Sequence, residues 1–145
     1  AGLHLSCIAA DFKKGDEVII PSQTHVATAH AVEYTGAKAV FADVTFPEGN
    51  LDLDEIKKKI TKKTKGVILV HMAGYPCNIV EVSNFCKKNN IILLEDCAHA
   101  LGTYKNKIHA GNYGMTGSFS FYPTKQITTG EGGMVCTNKK SLINN

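Results

Sequence analysis

The sequence predicts an α/β fold in which a mostly parallel mixed sheet is covered by helices on both faces. Three observations predict it. Between Asp16 and Glu95, strand-like and helix-like stretches alternate, the order that builds a parallel sheet through helical crossovers. The stretches Gly66 to His71 (GVILVH) and Ile91 to Glu95 (IILLE) are apolar on both alternating faces, as strands covered on both sides are. Ser118 to Tyr122 and Gly133 to Thr137 are separated by a loop too short for a helical crossover. Those two strands should therefore be antiparallel, which makes the sheet mixed.

In chain order, Gly2 to Phe12 sets Leu3, Leu5, Ile8, Ala9 and Phe12 at helical spacings and predicts a helix packed on the sheet and stopped before Gly15. Asp16 to Ile20 (DEVII) is a short strand closed by Pro21. Ser22, Gln23 and Thr24 then offer caps for a helix that runs to about Tyr34 and ends at Gly36. Lys38 to Val44 is the next strand, and Pro47 and Gly49 break the loop after it. In LDLDEIKKKI, Asp52 is placed to cap, Glu55 stands three residues on as in a capping box, and Leu53, Ile56 and Ile60 form the inner stripe. The lysines from Lys57 to Lys65 then face solvent. After Gly66 to His71, the segment MAGYPCN has the Gly and Pro of a loop. Ile79 to Lys88 is a helix with Ile79, Val82, Phe85 and Cys86 on one side, closed by Asn89 and Asn90. TYKNKIHAGNYG, from Thr103 to Gly114, reads as a turn or short hairpin, and a further helix is expected to begin near Asn145.

Composition narrows the functional classes. A length of 145 residues with 43% hydrophobic content and no long apolar run fits one globular domain with a real core and no membrane span. The opening AGLHLSCIAADF lacks the basic and continuous apolar regions of a signal peptide, so a cytoplasmic protein is expected. Cys7, Cys77, Cys86, Cys97 and Cys136 are odd in number, scattered and without a CxxC pair. That pattern speaks against a disulfide framework or a zinc site, and predicts reduced, mostly buried thiols and no metal. A net charge of +3, with much of the lysine in one run lacking interleaved aromatics, does not describe a nucleic-acid binder.

The stretch that carries chemistry is SFSFYPTKQITTGEGG, Ser118 to Gly133, where an alternating strand delivers Lys125 into a turn rich in Thr and Gly. A lysine amine forms Schiff bases with carbonyl compounds and with pyridoxal phosphate when its surroundings tune and hold it. That cofactor also needs a carboxylate against its ring nitrogen, hydroxyl or amide groups for its phosphate, and a flat side chain against its ring. Asp96 closes the apolar strand IILLED at its carboxyl end, where α/β sites form, and His99 follows three residues on. Read blandly, Asp96 caps a turn and His99 is structural. Ser120, the start of the first helix and His25 remain for the phosphate and the ring.

The motifs GDEVIIPSQTHVATAHAVEYTGAKAVFADV, NLDLDEI followed by TKKTKGVILVH and GYP, LLEDCAHALG and SFSFYPTKQITTGEGG together resemble the DegT-type family of nucleotide-sugar aminotransferases. The resemblance covers essentially the whole chain. It implies a three-layer sandwich of fold type I, like the large domain of aspartate aminotransferase, and pyridoxal 5'-phosphate as cofactor. By it, Lys125 is the lysine that carries the cofactor and Asp96 the partner of the ring nitrogen. His99 stands where many members have Gln or His near the phenolic oxygen, and Ser120 is a phosphate ligand. His25 falls where many members place a stacking aromatic residue, so imidazole is a departure there. Ala1 matches the residue after a Gly-Thr or Ser-Thr turn whose hydroxyl and amides hold the phosphate.

Family members are longer, so residues 1 to 145 are expected to be the central part of the cofactor-binding large domain, without the N-terminal strand and the C-terminal small domain. On that expectation this part alone is inactive, and the full-length parent is a homodimer that takes a keto nucleotide sugar and an amino donor, usually glutamate. The resemblance also implies a place in surface polysaccharide or amino-sugar biosynthesis. One branch of the family replaces the lysine with histidine and removes a sugar hydroxyl instead; lysine at position 125 speaks against that dehydratase branch. A regulatory or binding protein that keeps the fold without catalysis is the other alternative, against which Asp96, Ser120 and Lys125 are all present.

Overall fold

The computed structural model describes residues 1–142 and has the expected architecture. Along the chain come α1 (Gly2–Ala9), β1 (Glu17–Pro21), α2 (Val26–Glu33), β2 (Lys38–Ala42), α3 (Leu53–Lys59), β3 (Thr64–Val70), α4 (Ile79–Lys88) and β4 (Ile92–Asp96). They are followed by the small hairpin β5 (Tyr104–Lys105) and β6 (Ile108–His109), then β7 (Thr116–Ser120) and β8 (Gly133–Cys136). The main sheet has the spatial order β2-β1-β3-β4-β7-β8. Every pairing in it is parallel except β7 with β8, which is antiparallel. Among the described residues, no helix is long and apolar enough to cross a membrane.

Alternate residues of the central strands feed two cores, which is why those strands read as continuously apolar. Ile19, Val67, Leu69 and Leu93 pack with Ile56 of α3 and with Ile79, Val82 and Cys86 of α4. Val18, Ile20, Ile68 and Leu94 pack with Cys7 of α1 and with Ala31 and Val32 of α2. The sheet therefore has α1 and α2 on one face and α3 and α4 on the other. All five cysteines are free, and four of them are buried.

Local departures have local causes. Helix α1 ends at Ala9 instead of Phe12, because Asp11 turns left-handed at φ 55° and the chain folds Phe12 back into the core. The cap of α2 is not Ser22, Gln23 or Thr24 but His25, whose backbone is extended and whose Nδ1 accepts the Ala27 N–H at 3.1 Å. Asp52 caps α3 through Asp54 N–H as expected. Glu55 does not close a capping box: it pairs with Lys58, while the Asp52 N–H donates to Asp43 O. Lys57 likewise pairs with Asp54 on the solvent side. Strand β7 spans Thr116–Ser120, two residues earlier than Ser118 to Tyr122. Phe121 still donates its N–H to Gly132 O, so the alternation runs on past the strand's end. The helix expected near Asn145 lies outside the described residues.

Candidate functional site

The parallel strands deliver their carboxyl ends to one edge of the sheet, and the six candidates all fall on it. Asp96 is the last residue of β4 and His99 lies in the turn beyond. Ser120 is the last residue of β7, with Lys125 in the turn after it. His25 is the N-cap of α2, four residues past the end of β1, and Ala1 is the N-cap of α1. Helix α1 packs on β7, β8 and α2, with its first residue, Gly2, set against Ser118 and Val135.

Parallel pairing fixes which side chains share a face. Asp96 is the register partner of Ser118, so both project to the α1 and α2 side, and Ser120, two residues on, follows them. Ser118 Oγ meets Ser6 Oγ of α1 at 3.0 Å in a buried contact. Close packing there depends on Gly2, where a Cβ would stand 3.2 Å from Val135 Cγ2 and 3.6 Å from Ser118 Cβ. Asp96 is 5% exposed and its oxygens are held separately. Thr28 Oγ1 of α2 donates to Oδ2 at 3.0 Å, and Ala98 N–H donates to Oδ1 at 3.0 Å. Thr28 Oγ1 also meets Thr24 Oγ1 at 2.8 Å.

The turn that carries Lys125 is tied down from both sides. Lys125 N–H donates to Tyr122 O at 2.9 Å, and Thr129 N–H and Thr128 Oγ1 both donate to Phe121 O at 3.0 Å. Gln126 Nε2 donates to His99 O at 2.9 Å, so this turn and the turn beyond Asp96 are bonded together. Lys125 is half-buried. The six candidate side chains make no hydrogen bond to one another among the described residues; backbone and neighbouring side chains assemble the edge.

Glu95 projects to the opposite face and does different work. Its Oε2 meets His71 Nε2 at 3.0 Å and accepts the Gly111 N–H at 2.8 Å. Its Oε1 accepts the N–H groups of Tyr113 at 2.8 Å and Gly114 at 2.7 Å. Burial opposes the charge, but the His71 bond and the Gly111 and Gly114 amides outweigh it and hold the carboxyl below its ordinary value. His71, Glu95 and Cys97 bring metal-ligand atoms within 4.8 Å of one another. The Glu95 oxygens are already met by four donors, and burial, with Glu95 and Asp96 nearby, pushes the Cys97 thiol far up and keeps it protonated. The group is a structural clamp between β3, β4 and the segment leading into β7.

The donor set at the carboxyl edge fits pyridoxal phosphate. A carboxylate accepts about four hydrogen bonds, and the two held by Thr28 and Ala98 leave room for a ring N–H. Ser120 Oγ accepts the Tyr122 N–H at 3.3 Å, which leaves its own proton to donate. No side chain caps the first turn of α1, whose amides suit an anion. His25 keeps its ring exposed while Nδ1 caps α2. A cleft of about 440 Å³ lies on the α3 and α4 side, walled by Leu51, Asp54, Tyr75 and Asn78, and holds none of the six candidates.

Four residues at this edge and behind it carry weaker sequence signals. Thr28 sits inside a helix, marked only by a second threonine four residues before it; Ser118 and Ser6 are small residues far apart in the chain; and Glu95 stands beside Asp96 with nothing to say which faces the site.

Comparison with known proteins identifies the architecture. The sequence model of the DegT/DnrJ/EryC1/StrS aminotransferase family matches residues 1–145. GDP-perosamine synthase of Escherichia coli O157:H7 is 43% identical over 141 residues, 97% of this chain and 38% of that protein. The solved structure of the aminotransferase from Psychrobacter cryohalolentis superposes with a TM-score of 0.95 at 39% identity, over 97% of this chain and 36% of that one. Helicobacter pylori PseC, an aminotransferase involved in the biosynthesis of pseudoaminic acid, superposes with a TM-score of 0.90 at 34% identity, over 98% of this chain and 38% of that one. The chain thus spans under two fifths of the length of such relatives.

Proposed function

The chain belongs to the DegT/DnrJ/EryC1/StrS aminotransferase family, and from that premise we propose that it forms the central part of the cofactor domain of a pyridoxal phosphate-dependent aminotransferase. The enzyme passes an amino group, taken from glutamate, to a keto nucleotide sugar in the biosynthesis of surface polysaccharide or amino sugars. It works in the cytoplasm as a homodimer. The observation that carries the reading is the common edge of three groups: Asp96 at the end of β4 and Ser120 at the end of β7, on one face, and Lys125 on the turn beyond.

When bound, pyridoxal phosphate supplies an electron sink that lets a C–H bond next to nitrogen be broken. The side chains do the rest. Lys125 Nζ would hold the cofactor covalently and, when free of it, would carry the proton that is moved in each half of the transfer. Asp96 accepts the ring N–H. The Ser120 hydroxyl and the first-turn amides of α1, beginning after Ala1, receive the phosphate. His25 would supply a flat side chain for the cofactor ring and His99 a group for its phenolic oxygen.

Lysine at position 125 and the names of the relatives favour amination over loss of a hydroxyl. In the full-length protein, Lys125→Ala should abolish amination of a keto nucleotide sugar and the visible absorbance of lysine-bound cofactor. Retained amination would overturn the proposal.

A further inference from the structure

Resting on the cofactor reading above, we propose that Thr28, backed by Thr24, is a positioning residue for the ring-nitrogen partner Asp96. The argument starts from an unusual use of a helical threonine. Inside a helix a Thr hydroxyl commonly bonds back to a carbonyl one turn earlier. Thr28 is fully buried in the first turn of α2, and its hydroxyl reaches out of the helix and donates to Asp96 Oδ2 at 3.0 Å, across 68 positions of sequence. A hydroxyl has one proton. With that proton spent on the carboxylate, the 2.8 Å contact to Thr24 Oγ1 has one direction: Thr24 donates and Thr28 accepts. The result is a polarised chain, Thr24 to Thr28 to Asp96, in which each donor strengthens the next.

Its second arm makes it a positioning device. Ala98 N–H holds Oδ1 at 3.0 Å from the turn after β4, while Thr28 holds Oδ2 from α2. Two fixed points define the plane of a carboxylate, so its remaining lone pairs have one direction in which to meet a ring N–H. The same helix begins at His25, whose Nδ1 caps it. One rigid element therefore sets both the group assigned to the ring face and the group that aims the partner of the ring nitrogen.

The test uses the full-length holoenzyme with Thr28→Val, which keeps the buried volume and removes the hydroxyl, and Thr28→Ser, which restores it. Cofactor affinity is measured by fluorescence titration, and ring-nitrogen protonation by the ¹⁵N resonance of labelled pyridoxal phosphate. Loss of a hydrogen bond to a charged group should weaken cofactor binding about ten-fold or more in Thr28→Val and move the ¹⁵N resonance toward that of the unprotonated ring, with Thr28→Ser close to wild type. A purely structural role would lower the melting temperature of the cofactor-free protein and leave the ¹⁵N position of the bound cofactor unchanged. If Thr28→Val does not fold, Thr24→Val carries the same test, with an effect in the same direction and smaller. Wild-type affinity and an unmoved ¹⁵N resonance in the folded valine variant would overturn the proposal while leaving the cofactor reading intact. Failure of the wild type to take up cofactor on Lys125 would overturn both.

Discussion

Glu95 and His71 meet at 3.0 Å with neither side chain exposed, on the face of β4 turned away from Asp96. The Glu95 carboxylate also accepts the N–H groups of Gly111, Tyr113 and Gly114, and so fixes the segment that enters β7. Glu95→Gln would turn an amide N–H toward one of those donors and leave a buried network half satisfied. Breaking such a network should cost about 3–5 kcal/mol, read by urea denaturation of the full-length protein. A loss within about 0.5 kcal/mol, the range of an ordinary surface change, would contradict the clamp.

The same pair gives stability a pH dependence of definite sign. The Glu95 carboxyl is held below its ordinary value of 4.5 in the folded state. Its contribution is therefore fully present above that ordinary value and fades as pH falls through the lowered one. The stability gap between wild type and Glu95→Gln should narrow as pH falls below 4.5, measured by melting temperature across a pH series. A gap that stays constant or widens in acid would contradict this account.

Gly117, the second residue of β7, tolerates no side chain, because a Cβ there would fall on the backbone of Gly111. Backbone cannot swing aside as the end of a long side chain can. Gly117→Ala should destabilise by about 1–3 kcal/mol and weaken cofactor retention, since β7 carries Ser118 and Ser120 to the site edge. Thermal melting and cofactor titration check both effects; an unchanged melting temperature would show that the two segments can separate freely.

The legible part of this molecule was whatever repeats with a period. Strands such as Gly66 to His71 and Ile91 to Glu95 declared burial on both faces, and the short link between Ser118–Tyr122 and Gly133–Thr137 declared their antiparallel pairing, as observed. Motif resemblance then pointed to Lys125, Asp96 and Ser120, which fall on one edge of the sheet. Contacts across long sequence distances were not legible. Nothing local says that Thr28 reaches Asp96, that Ser6 reaches Ser118, or that Glu95 faces His71, since the first two depend on how α2 and α1 pack on the sheet and the third on the pairing of β3 with β4. His25 was harder still: its imidazole serves as a helix cap where Ser22 and Thr24 are the conventional choices, because the chain stays extended through His25 before α2 begins.

The most direct test of the central claim is to incubate the full-length protein with pyridoxal phosphate, reduce it with borohydride and map the modified peptide. The account predicts a single labelled lysine, Lys125, with the label lost in Lys125→Ala. Label spread over the solvent-facing run from Lys57 to Lys65, with Lys125 unmodified, would contradict it.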